Sequence, residues 1–238
     1  NAFSSNPPIV GISPAYSGRT GEAKNTLNNI LDTKEFTLSV GTFDMVEQMN
    51  ICAAEFGPDI DEFEKAGLTK YSPQSVSVPG VAESPLIMEC RFLQHIQFSD
   101  KPAGGNLLLG EILFFHARDD IYNENNQIDP EKVDQVSRMG MNWYSRANQG
   151  IFDLPAPRFL PIGVDNLPQA VRDSSYFSGK LLARLAYVDC IPKSKISNEF
   201  KEKYADYIQD DLLKACANFL EKNQIDEAWQ LLHLGDIT

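Results

Sequence analysis

The sequence has few cations, few histidines and no long hydrophobic run, and these shortages exclude several kinds of function. It contains 21 Lys and Arg residues against 33 Asp and Glu, which gives a formal net charge of −12. Nucleic acids and anionic lipid surfaces are bound by clustered cations, so this charge argues against both partners. No apolar run approaches the ~18 residues that a membrane-spanning helix needs. We therefore expect neither a nucleic-acid nor a membrane partner.

The cysteines and histidines lack the spacing of a metal site. Cys52, Cys90, Cys190 and Cys216 form no CxxC pair and lie far apart in the chain. Such a pattern is typical of buried thiols in a reducing compartment, which predicts a cytoplasmic protein, although one disulfide stays compatible with it. No GxGxxG, Walker, HExxH or GxSxG motif occurs, so the common dinucleotide, nucleotide, metalloprotease and serine hydrolase sites are not indicated. We predict no metal site.

Hydrophobic periodicity makes the first half of the chain rich in strands. Apolar residues alternate or run together in four segments, which predicts strands at 8–13, 36–40, 85–98 and 107–117. The connections are hairpin-like and do not show the βαβ alternation of a doubly wound sheet. The pattern therefore predicts a mainly β fold, an antiparallel barrel with helical additions.

Helical patterns occur between the strands and dominate the second half. A proline-rich stretch at 145–164 is expected to be an ordered loop. After it, residues 197–222 recur at helical spacing, which predicts one amphipathic helix that packs on the barrel or on a partner subunit. Start and stop signals predict further helices at 24–31, 44–56, 61–66 and 226–232, and another that opens at 129–131.

The polar stretch at 17–26 combines cations, hydroxyls and flexible backbone between a predicted strand and a predicted helix. It contains Ser17, Gly18, Arg19, Lys24 and Thr26. Two cations, several hydroxyls and a helix start with unpaired N–H groups favour an anion, even in this acidic protein. The stretch therefore predicts a phosphate cradle. A solvated loop that only caps the helix is the alternative interpretation.

Two further places carry residues suited to chemistry. His116 ends the last apolar strand, and a histidine can exchange protons near neutral pH. The segment 139–146 joins flexible backbone to aromatic rings and a cation, including Tyr144 and Arg146, and such groups suit a flat ligand. A packed histidine and a packed loop with a surface arginine are the alternatives.

Four stretches occur together in an order that resembles one known family. They are NAFSSNPP at 1–8, SGR with KNTLNNI within 17–30, VAESPLIMEC at 81–90, and DPEK at 129–132 with the segment 138–146. Together they resemble the flavin reductase-like family, whose members form an FMN-binding split barrel. A further similarity to the tail found in part of that family runs from 167 to 192.

The resemblance implies a fold, a cofactor and partners. It implies an antiparallel split β-barrel of the FMN-binding type over residues 1–192, with a C-terminal helical extension at 193–238. It also implies a homodimer with FMN near the subunit interface and hydride supplied by NAD(P)H. Free flavin, a partner monooxygenase or another acceptor would then receive the electrons.

The resemblance also implies roles for particular residues. The FMN phosphate would be held by the region of Arg19, Lys24 and Thr26, together with Ser17 and Gly18. Candidates for the nicotinamide side are His116, Tyr144 and Arg146. The isoalloxazine ring would lie against the first five residues, which are Asn1, Ala2, Phe3, Ser4 and Ser5.

The chain departs from the family pattern at two points. It has Lys24-Asn25-Thr26 where the family has Lys-Asp-Thr, which removes a negative charge beside the phosphate. Family members also carry earlier strands with an Asn-x-Ala-Pro-like stretch, so we expect a fragment or an incomplete barrel with an open edge. Two other functions stay open: a flavin-binding or interaction protein without turnover, and an FMN electron carrier that does not use nicotinamide.

Overall fold

The computed structural model describes residues 2–192 and 196–237, and the chain divides into two compact units. The first unit is Asn1–Phe152 and the second is Asp153–Thr238. This division differs from the domain boundary predicted at residue 192. The reason lies in packing, because Leu167 and Leu181 share a hydrophobic core with Leu220 and other residues of the C-terminal helices.

Short strands and two long ones form the sheets of the first unit. The two long predicted strands, 85–98 and 107–117, are confirmed within one residue at each end. The strands in chain order are β1 (Ala2–Ser5), β2 (Pro8–Ile12), β3 (Glu35–Ser39), β4 (Lys70–Tyr71), β5 (Gly80–Val81), β6 (Leu86–Gln97), β7 (Asn106–Ala117), β8 (Val136–Gly140) and β9 (Trp143–Arg146).

The main sheet is antiparallel and open among the described residues. Its strand order is β1-β2-β7-β6-β3, so β1 and β3 are the edges. The sequence predicted a barrel, and the sheet does not close because the other strands pair only with each other, as β4 with β5 and β8 with β9. The centre of the sheet is the β6–β7 pair, in which Met88 lies opposite Phe115.

The helices follow the predicted positions in the first unit more closely than in the second. The predicted helix at 197–222 is wrong as one continuous helix, since two helices occupy that stretch. The helices are α1 (Asn25–Thr33), α2 (Val46–Cys52), α3 (Glu62–Ala66), α4 (Pro130–Val133), α5 (Gln169–Asp173), α6 (Gly179–Leu185), α7 (Asn198–Lys203), α8 (Gln209–Glu221) and α9 (Ile225–Leu234).

The core of the first unit forms where α1 packs on the sheet. Leu27 and Ile30, three positions apart on α1, are buried in one cluster with Phe36 of β3 and Cys90 of β6. The sheet also needs a small residue here, because a Cβ at Gly110 would lie 2.5 Å from the Phe36 ring. This packing fixes the direction in which α1 starts, and the start of α1 is where the sequence predicts a phosphate.

The second unit is helical and has its own core. Cys216 and Trp229 are fully buried between α8 and α9, with α5 and α6 packed in the same cluster. The break between α7 and α8 falls at Ile208, whose backbone is extended, and Asp210 and Asp211 then occupy the first turn of α8. Acidic residues stabilise a helix N-terminus, which explains why a new helix starts there. None of the helices in the described residues has the length and apolar composition needed to cross a membrane.

Candidate functional site

A cavity of about 390 Å³ lies between the loop that leads into α1 and the loop that follows α2. The first wall carries Ser17, Arg19, Lys24 and Thr26, four of the residues predicted to hold a phosphate. The opposite wall is formed by residues 52–58. The structure therefore brings most of the predicted phosphate cradle together in one place. Gly18 belongs to the same loop but does not line the cavity.

The loop that carries Arg19 is a tight turn held by its own backbone. The N–H of Ser17 donates to the carbonyl of Glu22 at 2.8 Å, and the N–H of Gly21 donates to the carbonyl of Ser17 at 2.9 Å. Gly21 has a φ of +75°, a left-handed conformation that glycine adopts without strain. The turn consequently directs the side chains of Arg19 and Thr20 to the cavity wall.

The first turn of α1 forms the floor next to this loop. Lys24 is the N-cap residue, and no side chain accepts a hydrogen bond at the cap. The N–H groups of a helix start without such a cap are available to an anion. The side-chain ammonium of Lys24 makes no hydrogen bond or ion pair within residues 2–192 and 196–237. Its positive charge contributes to lowering the pKa of the Glu55 carboxyl across the cavity.

Asn25, at the departure from the family pattern, ties the two walls together. Its side-chain Nδ2 donates to the carbonyl of Phe56 at 3.1 Å. An ionised aspartate has no N–H to donate and could not make this bond. Asn25, in place of the family's Asp, thus removes a negative charge and also adds a hydrogen bond between the two walls of the cavity.

Glu55 on the opposite wall is a residue that sequence reasoning missed. Its Oε2 accepts from Arg19 Nη2 at 2.8 Å, and its Oε1 accepts from the hydroxyl of Ser17 at 3.0 Å. The hydrogen bond from Arg19, followed by that from Ser17, lowers the pKa of the Glu55 carboxyl below its usual value. No local pattern could have revealed this contact, because 36 positions separate Arg19 from Glu55.

The first strand, β1, does not line the loop cavity. Ala2–Ser5 form β1 at the edge of the main sheet. Phe3 covers Gly11 of β2 so closely that a Cβ at Gly11 would collide with the Phe3 ring. Asn1, also predicted to contact the flavin ring, lies outside the described residues. Residues 2–5 therefore line no part of the cavity that contains the predicted phosphate contacts, and their contact with the flavin ring stays a prediction.

His116 belongs to a buried network on the sheet. Its Nε2 lies 2.5 Å from Oε1 of Glu89, and its Nδ1 lies 3.2 Å from the hydroxyl of Tyr71. The Glu89 carboxylate also accepts from the backbone N–H of Gln74 at 2.8 Å and of Ser75 at 2.5 Å. His116 thus links β7 to β6 and β4, and Glu89 fastens the loop after β4.

Electrostatics in this network favour a charged Glu89. Burial alone would raise the pKa of the Glu89 carboxyl, since the side chain is fully buried. Hydrogen bonds from His116 and from the N–H groups of Gln74 and Ser75 outweigh burial and keep that pKa below its usual value. The carboxylate therefore stays ionised inside the fold.

Tyr144 and Arg146 take part in other contacts. Arg146 donates two hydrogen bonds to Asp134, at 2.7 and 2.6 Å, and its guanidinium lies 4.0 Å from the centre of the Phe43 ring. Tyr144 lines a groove of about 310 Å³ between α2 and the β8–β9 hairpin. The three residues predicted for the nicotinamide side thus make separate contacts in this chain, and His116 does not line that groove.

Metal-ligating side chains do not cluster in the part of the chain that the structure describes. No group of three or more His, Cys, Asp or Glu residues there could hold a metal ion. The donors of the loop cavity are guanidinium, ammonium and hydroxyl groups, with backbone N–H groups at the start of α1, and the carboxylates of Glu22, Glu55 and Glu62 line the same cavity. Such a donor set suits a phosphate ester.

Comparison with known proteins gives the chain relatives over its first unit. The model of the flavin reductase-like domain matches residues 1–145. An uncharacterized protein of Aquifex aeolicus is 33% identical over 148 residues, which cover 62% of this chain and 72% of the relative.

Solved structures share the fold. Component B of nitrilotriacetate monooxygenase from Bacillus cereus is 29% identical with a TM-score of 0.59, covering 65% of this chain and 75% of its own. A split-barrel protein of the flavin reductase type from Shewanella frigidimarina is 25% identical with a TM-score of 0.57, covering 66% and 74%. The first unit is thus similar to split-barrel proteins, although its sheet is open in the described residues.

Proposed function

We propose, from the premise that this chain belongs to the flavin reductase-like family, that it binds FMN by its phosphate in the loop cavity and serves flavin-dependent electron transfer. One observation carries the proposal. Arg19, Lys24, Ser17 and Thr26 meet in one cavity at the start of α1, in a chain whose net charge is −12. A phosphate ester is the ligand class that such a set of donors recognises.

The residues of the cavity would divide the binding of the phosphate between them. Lys24 can approach an anion without breaking an existing contact, and Thr26 can donate its hydroxyl from the first turn of α1. Bound FMN would supply hydride acceptance and electron transfer, while the protein supplies position and charge. The contacts of the isoalloxazine ring with residues 1–5 stay a prediction.

The binding test removes one cation and compares two flavins. Lys24→Ala is expected to weaken FMN binding about tenfold, the size of one charge-assisted hydrogen bond, and to leave riboflavin binding unchanged because riboflavin has no phosphate. Titration monitored by flavin fluorescence measures both affinities. Lys214→Ala, on an exposed position of α8, controls for the change in net charge. Wild-type protein that binds no added FMN would refute the proposal.

The electron donor that we propose is NAD(P)H, and the acceptor is a partner monooxygenase or another oxidant. Support for the acceptor comes from the Bacillus cereus neighbour, which is named as a component of a monooxygenase. Stopped-flow absorbance of the FMN-loaded protein with NADH and with NADPH tests the donor. Flavin that binds but is reduced by neither would favour a flavin-binding protein without nicotinamide turnover.

A homodimer is part of the same proposal. Leu113, Phe114 and Phe115 are consecutive in β7, so both faces of the strand carry apolar side chains, and these are 39, 37 and 44% exposed. Exposed apolar surface of this kind is typical of a protein contact. Sedimentation equilibrium should give twice the chain mass of 26.6 kDa. Phe114→Asp should then shift the protein towards monomer, and a wild-type monomer would contradict the proposal.

A further inference from the structure

Glu55 accepts hydrogen bonds from donors that a bound anion would use. Its two carboxylate oxygens accept from the Arg19 guanidinium and the Ser17 hydroxyl, two of the groups proposed to bind phosphate. A carboxylate and a phosphate present the same kind of acceptor to such donors. The Ser17 hydroxyl has one O–H and can serve only one of the two acceptors, and a ligand that needs the Nη2 donors of Arg19 must share them with Glu55 or displace it.

Hydrogen bonds hold the backbone next to Glu55 against the start of α1. The carbonyl of Phe56 accepts from Asn25 Nδ2 at 3.1 Å, and the N–H of Phe56 donates to the carbonyl of Ala54 at 3.0 Å. The residue after Glu55 is thus fastened to the first turn of α1, the same turn that carries Lys24. Glu55 is consequently a fixed part of the cavity wall, while its side chain keeps the freedom to turn away.

The contact between Glu55 and Arg19 is easily exchanged. The Arg19 side chain is 80% exposed and that of Glu55 is 47% exposed, so water competes for both. Exposed ion pairs contribute little to stability and are screened by salt. A phosphate carries more charge and more acceptor oxygens than a carboxylate, so it can replace Glu55 at the Arg19 guanidinium.

We propose that Glu55 competes with the flavin phosphate for Arg19 and Ser17, and so sets how strongly the protein prefers FMN over riboflavin. This inference rests on the proposed function. In the free protein Glu55 holds the two donors. When FMN binds, its phosphate takes them, and the nearby negative charge of Glu55 keeps the binding weaker than the cations alone would make it. Glu55 is thus a specificity-determining residue that favours exchange of the flavin.

The test measures the affinities of FMN and riboflavin for the wild type and for Glu55→Gln. We expect FMN to bind about three- to tenfold more tightly to the variant, the range for losing one exposed ion pair and one repulsion. Riboflavin affinity should not change, and the FMN effect should shrink at ~1 M salt, where charges more than a few ångströms apart are screened. Stopped-flow displacement should show slower FMN release from the variant.

A matched control separates competition for Arg19 from the general charge of the cavity. Glu22 also lines the cavity but has no ion pair with Arg19, so Glu22→Gln should change FMN affinity less than Glu55→Gln does. Equal effects of the two variants would overturn the competition. Unchanged or weaker FMN binding by Glu55→Gln would also overturn it, since Glu55 would then position Arg19 for the ligand.

The Lys24→Ala variant distinguishes the two possible failures. If Lys24→Ala weakens FMN but Glu55→Gln does not tighten it, the phosphate site stands and the role of Glu55 is wrong. If Lys24→Ala leaves both flavins unaffected, the cavity is not the phosphate site and both proposals fail. Circular dichroism and thermal unfolding of each variant test whether the fold is intact. Glu55→Ala removes the side-chain acceptor altogether, whereas Glu55→Gln removes the charge and keeps an amide oxygen that can accept from Arg19.

Discussion

Two glutamates of the first unit are each bound to a nitrogen-bearing side chain, and they differ in their exposure to water. Glu55 meets Arg19 at the open cavity, whereas Glu89 meets His116 in a fully buried position. Water can replace a partner of the first carboxylate at little cost, but no water replaces the partners of the second. The same chemical group therefore suits ligand exchange at one place and holds the fold together at the other.

The largest expected effect comes from breaking the buried pair. Glu89→Gln leaves the N–H groups of Gln74 and Ser75 facing a neutral amide and removes the negative charge beside His116. We expect the free energy of unfolding to fall by about 3 kcal/mol, as is typical when one partner of a buried pair is lost. Urea unfolding measures it. Glu55→Gln is the comparison, and similar losses in both variants would show that exposure does not separate the two sites.

The pH dependence of stability should follow Glu89 in the wild type. The folded-state pKa of Glu89 lies below its usual value, so Glu89 binds a proton more readily in the unfolded state than in the folded state. Its contribution is complete above the unfolded pKa of about 4.3 and is lost as the pH falls through the folded-state pKa. Urea unfolding from pH 7 down to pH 3.5 should therefore narrow the difference between wild type and Glu89→Gln. A difference in unfolding free energy between wild type and Glu89→Gln that stays constant with pH would contradict the lowered pKa of Glu89.

Thiol labelling compares the same two regions by a different reaction. Cys52 lines the loop cavity, while burial raises the pKa of the Cys90 thiol in the sheet core to about 12. We expect saturating FMN to slow the reaction of Cys52 with a disulfide reagent severalfold, because the ligand covers the cavity, and Cys90 to react only after unfolding. Labelling followed by peptide mass spectrometry assigns each thiol. Cys190, which is exposed in the second unit, is the internal control and should keep its rate.

The smallest expected effect concerns the bond that joins the cavity walls. Asn25→Ala removes the hydrogen bond to the Phe56 carbonyl and should lower the free energy of unfolding by about 1 kcal/mol. Asn28→Ala, three positions later on the same helix and exposed, is the same substitution without that bond. The difference between the two variants in urea unfolding reports the bond. No difference would mean that the walls are joined by other contacts.

Several parts of the fold follow from local pattern. The alternation around Met88 and the apolar run that ends at His116 predicted β6 and β7, and the spacing of Leu27 and Ile30 predicted α1. These succeed because burial on one face imposes a period of two or 3.6 residues. The break at Ile208 escaped prediction, because the apolar spacing of α7 and α8 continues across it.

The sequence by itself determined the strands β2, β3, β6 and β7, the first helix and the row of Ser17, Arg19, Lys24 and Thr26 at the start of that helix, because these depend on neighbours along the chain. Only the tertiary structure decided that Glu55 meets Arg19, that Asn25 binds Phe56, and that Glu89 meets His116. Such contacts join residues far apart in sequence, and a carboxylate carries no local signal of the partner it will find. Burial then decides how firmly it holds that partner.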